Sequence, residues 1–600
     1  MKILYKKQGS SHTYLRADSA FKSFSCFKAD EIPAAIDRAE EYTQKGYHVF
    51  AWLSYEASAA FDPRHAVKNN SDFPLAHFAV YKNVEECQLD APNREILPVS
   101  VKPKIDRSEY VEAIKKSLEY IHAGDIYQVN YTFRCEVELP LEPREFFVRL
   151  TQLHPVPYAS FMDTGDIQIL SLSPELFLSR RGNQLLTKPM KGTEKRGGTW
   201  RSDERKRQEL ALCPKGRSEN IMIVDLMRND LSRICTKVTT PELFSVERYP
   251  SLHQMTGTVT GELNENTSLR EILFATFPPG SITGAPKIRA TEIINELESS
   301  PRGIYTGSIL HLKPGGDFDM NVCIRTLSCQ NGKTTLGIGS GIVADSGSGP
   351  EWDECLLKSS FLNFPPPPEE VFTTLLWDQS KGFRFLLRHL RRLRQTCLWL
   401  CREFPLTQII NELKKQRKQN NNFLFARVRI TINERSQVAI NFSSIDSPKW
   451  DQLRVGISTT QLSSKNPFHF HKTSARPLHN EAFASAQVQG LDEAIFFNEK
   501  GELCEACISS VFVLTEDKRW LTPKISSGLL AGICRRLAID SKEVEEVIIT
   551  RNQLLEAKAV YLGNSLRGLA PVKELLINSE NRITFTNLDS IPNWIKAQAH

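Results

Sequence analysis

Six hundred residues exceed what one hydrophobic core organises, so at least two domains are expected, each with a large core of its own. A hydrophobic fraction of 40%, a charged fraction of 24% and a net charge of +6 describe ordinary globular material and give no case for a nucleic-acid partner. Thirteen scattered cysteines point to a reducing compartment, and no signal-like or membrane-length apolar run is present, so a soluble cytoplasmic protein is expected, with no membrane partner.

Strand-like runs such as Tyr47 to Leu53 mix with helical stretches such as Ser108 to Leu118 in the first part of the chain. That mixture predicts an α+β fold rather than a regularly alternating doubly wound sheet. Further on, Pro189 rules out a central strand or helix interior and Gly192 lets the backbone come close to something, which sets Lys191 where a strand gives way to a loop. Around it stand four ordered blocks: Ser173-Pro174-Glu175-Leu176-Phe177, the run from Glu219 to Asp230, the run from Gly280 to Lys287, and the run from Gly339 to Ser346. Glu351 and Glu354 lie three apart on one face of a helix that Pro350 is expected to open. Two carboxylates so placed either complement the helix dipole or share a cation. Four consecutive prolines, Pro365 to Pro368, favour an extended segment, so the expected domains are 1–363 and 371–600 with a linker at 364–370.

After the linker, Leu386, Leu390, Leu393 and Cys397 recur at helical spacing and predict an amphipathic helix with a basic outer face. The run Lys414 to Lys418 reads as a solvated helix face. Cys504-Glu505-Ala506-Cys507 is a lone C-x-x-C without a second ligand pair, which argues for two strand thiols and against zinc.

The ordered blocks of the first 360 residues resemble the chorismate-utilising enzymes, whose synthase branch that makes aminodeoxychorismate carries a lysine at the Lys191 position. The resemblance implies a chorismate-binding α/β sandwich domain. It implies Lys191 as the nucleophile that attacks carbon 2 of the ring, and Glu175 as the general acid that protonates the departing hydroxyl. Magnesium would be held by Glu219, Glu351 and Glu354, although Gly216 stands where relatives often carry a further acid. Arg325 would pair with a substrate carboxylate. Thr283, Gly284, Ala285, Gly339, Ser340 and Gly341 would offer backbone donors, with His253 and Lys287 also in the binding site. For Lys191 to attack, its amine must lose its proton, which means a pKa brought down from ~10.4 toward neutrality by burial or a nearby cation. No glutaminase domain with an activated cysteine is seen, so a separate glutamine amidotransferase subunit is expected to deliver ammonia.

From Val371 the chain resembles the fold-type IV pyridoxal-phosphate enzymes, and among them the aminodeoxychorismate lyases. A two-subdomain fold follows from that resemblance, with a homodimer through this domain as a possible assembly. Lys472 would be the Schiff-base lysine, Arg392 would meet the cofactor phosphate, and Glu505 would pair with the ring nitrogen. Gly532, Ile533 and Cys534 would cradle the phosphate at a helix N-terminus, and Asn564 and Ser565 would form a substrate-side loop. Ser510 and Cys534 depart from the family's usual asparagine and threonine. The combined expectation is a bifunctional route from chorismate to 4-aminobenzoate, a folate precursor. The competing expectation joins an anthranilate-type first half to a transaminase-like or degenerate second half that serves as a binding platform.

Overall fold

The computed structural model describes every residue except 11–12, 69–71, 90–97, 364, 421, 448–450, 579 and 587–600, so Phe364 of the expected linker lies outside the described residues. Two compact units emerge, one of Met1–Arg196 with Lys206–Pro366 and the other of Gly197–Arg205 with Pro367–His600. Among the described residues no helix is long and apolar enough to cross a membrane.

The first unit contains two ten-stranded sheets. One cluster, including Tyr5, Phe50, Trp52, Tyr81, Met162 and Ile169, draws on strands of both sheets and fills the space between them. The outer faces carry helices: Tyr110, Phe146 and Ile293 pack on one sheet, and Ile36, Ile223 and Met227 on the other. The strand His48–Leu53 shows why its sequence is apolar from Val49 onward. Phe50 and Trp52 face the space between the sheets, while Val49, Ala51 and Leu53 face the helices, so neither side of the pleat meets water.

The helix Arg107–His122 begins where its sequence says it should, with Asp106 accepting from the Glu109 amide at 2.9 Å and Glu109 returning the bond to the Asp106 amide at 2.9 Å. The helix carrying Glu351 and Glu354 runs Ser348–Ser359 and so starts two residues before Pro350. Proline is tolerated in a first turn because the amide it lacks would have no intrahelical partner there.

The second unit holds a four-stranded sheet and a nine-stranded sheet. The smaller is antiparallel and packs against the helices Leu386–Trp399 and Leu406–Gln419 through Val428, Ile430, Leu393, Cys397 and Ile409. The larger includes parallel pairs, with Leu453–Ile457 flanked by Glu493–Phe497 and Gly568–Leu576. Cys504 and Cys507 are free and buried, their thiols turned to the carbonyls of Ser527 and Ala494.

Candidate active site

A cavity of about 280 Å³ opens in the first unit, a size suited to one small molecule. Glu175, Lys191, Glu219, Arg325, Gly339, Gly341, Glu351 and Glu354 all line it. Residues as far apart in the chain as Glu175 and Glu354 therefore line one cavity.

Lys191 is the second residue of the strand Met190–Lys195, so the chain does not pass into a loop there as its proline suggested. Pro189 only interrupts the sheet between Gln184–Lys188 and Met190–Lys195. A register shift follows between Met190 and Thr193, and Gly192 takes a φ of 85° that side chains disfavour. The result turns Lys191 inward, 8% exposed, with its Nζ donating to Asn130 Oδ1 at 3.1 Å. Burial lowers the Lys191 pKa and Lys358 adds to that, against the pull of Glu219, Glu175 and Glu354.

Glu175 is 2% exposed, and Ser281 Oγ donates to its Oε1 at 2.5 Å. Burial pushes this carboxyl up to about 7 despite the opposing Ser281 hydrogen bond and the Lys191 charge. Arg325 sits in a break between two strands rather than inside one, with a φ of 49°. Its Nη1 is buried without a hydrogen-bond partner, and burial brings its pKa down to about 10. A buried guanidinium with an unused donor at a cavity wall has the chemistry to receive a carboxylate.

The three glutamates expected to hold magnesium share the cavity without forming a direct shell, since no metal-holding group of three such side chains occurs among the described residues. Glu351 accepts from Ser346 Oγ at 2.8 Å and lies 3.7 Å from Lys215 Nζ. Glu354 pairs with Lys358 at 2.9 Å. Burial raises Glu219, whereas in Glu354 burial is outweighed by the charge and hydrogen bond of Lys358 together with the charges of Lys191 and Lys215, and the pKa is lowered. Carboxylates spread this way fit an ion that keeps most of its waters and is held through few protein oxygens.

Six expected binding residues are not among those lining the cavity. Ser340 falls on the opposite side of its strand from Gly339 and Gly341, where its Oγ meets the Tyr110 hydroxyl at 2.9 Å. Gly284 and Ala285 spend their backbone on a short strand paired with Val129 and Gln128, and Thr283 Oγ1 donates to the Pro279 carbonyl. Lys287 is taken by Asp230 at 2.6 Å and the Thr276 carbonyl at 2.8 Å. His253 is fully buried in the strand Leu252–Leu263, opposite Glu194 and Arg248.

The cavity also has residues that sequence reasoning passed over. Asn130 and Lys358 line it, and beside them lies Gln128, whose side-chain amide is buried with neither atom hydrogen-bonded. A Cβ placed on Gly341 would stand 2.9 Å from Lys191 Nζ and 3.2 Å from both Asn130 Oδ1 and Gln128 Nε2. A signal for the strand residues was present: Gln128, Asn130 and Thr132 alternate with Val129, Tyr131 and Phe133, which marks one polar face on a buried strand.

In the second unit, Lys472, Arg392, Arg476 and Glu505 interact with one another. Burial brings Lys472 down to about 7, with the charges of Arg476 and Arg392 acting the same way. Arg392 Nη2 donates to Thr373 Oγ1 at 3.0 Å, and its pKa falls to about 10 through burial and Arg476. Glu505 Oε1 accepts from Arg476 Nη2 and faces His479 Nε2, each at 3.0 Å, while Oε2 accepts from the Leu530 amide at 3.2 Å. Burial works against its ionisation, but Arg476 and His479 outweigh it and hold the carboxyl at about 2.

Gly532 caps the helix Ile533–Asp540. A Cβ there would meet Ser510 Oγ at 2.6 Å. Asn564 braces its own turn, its Oδ1 accepting from the amides of Leu566 and Arg567 while its Nδ2 reaches Ser509 Oγ, and Ser565 follows within that turn. Three basic side chains against one carboxylate, with Arg476 Nη1 buried and unpartnered, make a donor set that fits a phosphorylated cofactor with a basic ring nitrogen.

Comparison with known proteins gives two family matches. A chorismate binding enzyme model matches residues 4–363, and an amino-transferase class IV model matches residues 370–575. The aminodeoxychorismate synthase component 1 of Escherichia coli (strain K12) is 42% identical over 254 residues, 42% of this chain and 56% of that protein. Its counterpart from Bacillus subtilis (strain 168) is 38% identical over 252 residues, 42% of this chain and 54% of that protein. Little more than half the length of these curated relatives is thus spanned. The crystal structure of anthranilate synthase component I from Streptococcus pneumoniae TIGR4 shares the fold at a TM-score of 0.50 and 24% identity, covering 60% of this chain and 90% of that one.

Proposed function

The chain belongs to the chorismate-binding enzymes and carries a class IV aminotransferase domain after that region, and from this premise we propose a bifunctional enzyme that turns chorismate into 4-aminobenzoate. In the first unit chorismate is aminated to 4-amino-4-deoxychorismate. In the second, pyruvate is eliminated from that product as the ring becomes aromatic.

The observation that carries the reading is the buried Lys191 amine facing the same cavity as the buried acid Glu175. Lys191 donates its electron pair to carbon 2 of the ring, both double bonds of the ring diene shift toward carbon 4, and the carbon 4 hydroxyl leaves with the Glu175 proton as water. Ammonia then bonds at carbon 4 and the lysine departs from carbon 2 with the double bonds returning. Arg325 holds a ring carboxylate through its free donor. Glu219, Glu351 and Glu354 would hold magnesium, which neutralises charge on a substrate carboxylate. Ammonia would come from a glutamine amidotransferase subunit, in keeping with the component 1 naming of the relatives.

In the second unit Lys472 would carry pyridoxal phosphate, with Arg392 and the amides of the Gly532-Ile533-Cys534 turn at its phosphate and Glu505 at its ring nitrogen. When bound, this cofactor supplies the electron sink. Lys472, whose pKa of about 7 frees its amine of the proton above that pH, takes the hydrogen from the ring carbon that bears the amino group.

Incubation of the purified chain with chorismate, magnesium and ammonium, with and without pyridoxal phosphate, tests both halves. The expected products are aminodeoxychorismate without the cofactor and 4-aminobenzoate with it. Anthranilate as the main product would overturn the assignment.

A further inference from the structure

The residue that holds Lys191 is itself held unusually firmly. Asn130 lies on the strand Gln128–Glu138. Its amide donates to the Thr283 carbonyl at 2.9 Å. Its carbonyl accepts from Arg302 Nη2 at 2.7 Å, and Arg302 is a buried cation gripped by Glu298 at 2.7 and 3.0 Å. Neither the backbone nor its neighbour is free to drift.

The side chain is oriented as well. Asn130 Nδ2 donates to the Ser281 carbonyl at 3.3 Å, an atom that only accepts, so the amide oxygen must face the other way. There it accepts from Lys191 Nζ at 3.1 Å. The same Ser281 donates its hydroxyl to Glu175 at 2.5 Å. One amide therefore keys the amine and the acid to each other across the cavity. Gly341, with no side chain, leaves the space beside Lys191 Nζ and Asn130 Oδ1 open.

We propose that Asn130 is a positioning residue that aims the Lys191 amine: by taking one N–H into a fixed amide oxygen, it leaves the nitrogen lone pair directed at the bound ring. This inference rests on the reading of Lys191 as the nucleophile. Asn130 acts through Lys191 Nζ, its hydrogen-bond partner at 3.1 Å, so its loss is expected to lower the rate of bond formation more than the capture of substrate.

The test uses the full chain with Asn130→Leu, which keeps the bulk and removes the acceptor, and Asn130→Ala, which strains nothing if leucine does not fit. Steady-state turnover is measured with chorismate, magnesium and saturating ammonium. The chorismate adduct on the Lys191 peptide is quantified by mass spectrometry without ammonium. In both variants kcat and the adduct rate are expected to fall by about tenfold to a hundredfold, on the order of one buried hydrogen bond, with KM for chorismate and the melting temperature little changed. Adduct formation at the wild-type rate in either folded variant would overturn the proposal, as would a raised KM at unchanged kcat. A wild-type chain that forms no adduct and a Lys191→Ala chain that still turns over would instead sink the nucleophile reading, and this inference with it.

Discussion

At Glu175 burial keeps a proton that an ordinary carboxyl would have lost. Its folded pKa of about 7 lies above the ~4.3 of an exposed glutamate, so from pH 4 to 7 the unfolded chain releases this proton while the folded one retains it, and stability declines as pH rises through that window. For catalysis the sign is helpful, since the donor form prevails below pH 7. The amination rate is accordingly expected to lose activity through one ionisation near pH 7 on the alkaline side. Glu175→Gln should lower kcat by about a hundredfold or more and abolish that limb, as a pH–rate profile would read. Lys472 works in the opposite sense. With its pKa at about 7 the amine is mostly neutral above that pH, so the rate at which cofactor-free protein acquires visible absorbance on adding pyridoxal phosphate should climb through pH 7 and not pH 10.

Among the elements, the strand Lys333–Ile342 separates structural from functional glycines. A Cβ at Gly337 would press within 2.1 Å of the Tyr305 ring, and one at Gly341 would meet the movable end of Lys191 at 2.9 Å. Gly337→Ala is expected to destabilise the fold by about 1–3 kcal/mol, seen as a lower melting temperature. Gly341→Ala should keep the melting temperature and lose most of the amination, because the displaced part is the amine itself. Sequence pattern made much of this framework legible. The apolar run to Leu53 and the stripe Leu390, Leu393, Cys397 each encode their burial locally. What it did not reveal depends on pairing across the sheet. Nothing near Pro189 says that the strand resumes at Met190, and nothing near Gly284 says that its backbone is consumed by Val129. Ser340 was placed with its glycine neighbours by motif although strand alternation alone sends it to the other face. The motif that singles out Arg325 gives no hint of its left-handed backbone.

For the whole molecule, the residues proposed for the two chemistries fall in separate units of the chain, each with its own apolar clusters. Lys191→Ala is expected to abolish formation of aminodeoxychorismate while release of 4-aminobenzoate from supplied aminodeoxychorismate continues, as chromatography of the two reactions would record. The gathering of Arg392, Arg476 and Lys472 around Glu505 has a thermodynamic corollary. Mutual repulsion there penalises the empty fold, and any multiply charged anion that occupies the niche relieves it. By mass action a ligand at a hundred times its dissociation constant adds about 2.7 kcal/mol to folding. A thermal scan should therefore show the unfolding of this half moving upward with rising inorganic phosphate, and further with pyridoxal phosphate, before a single turnover has taken place.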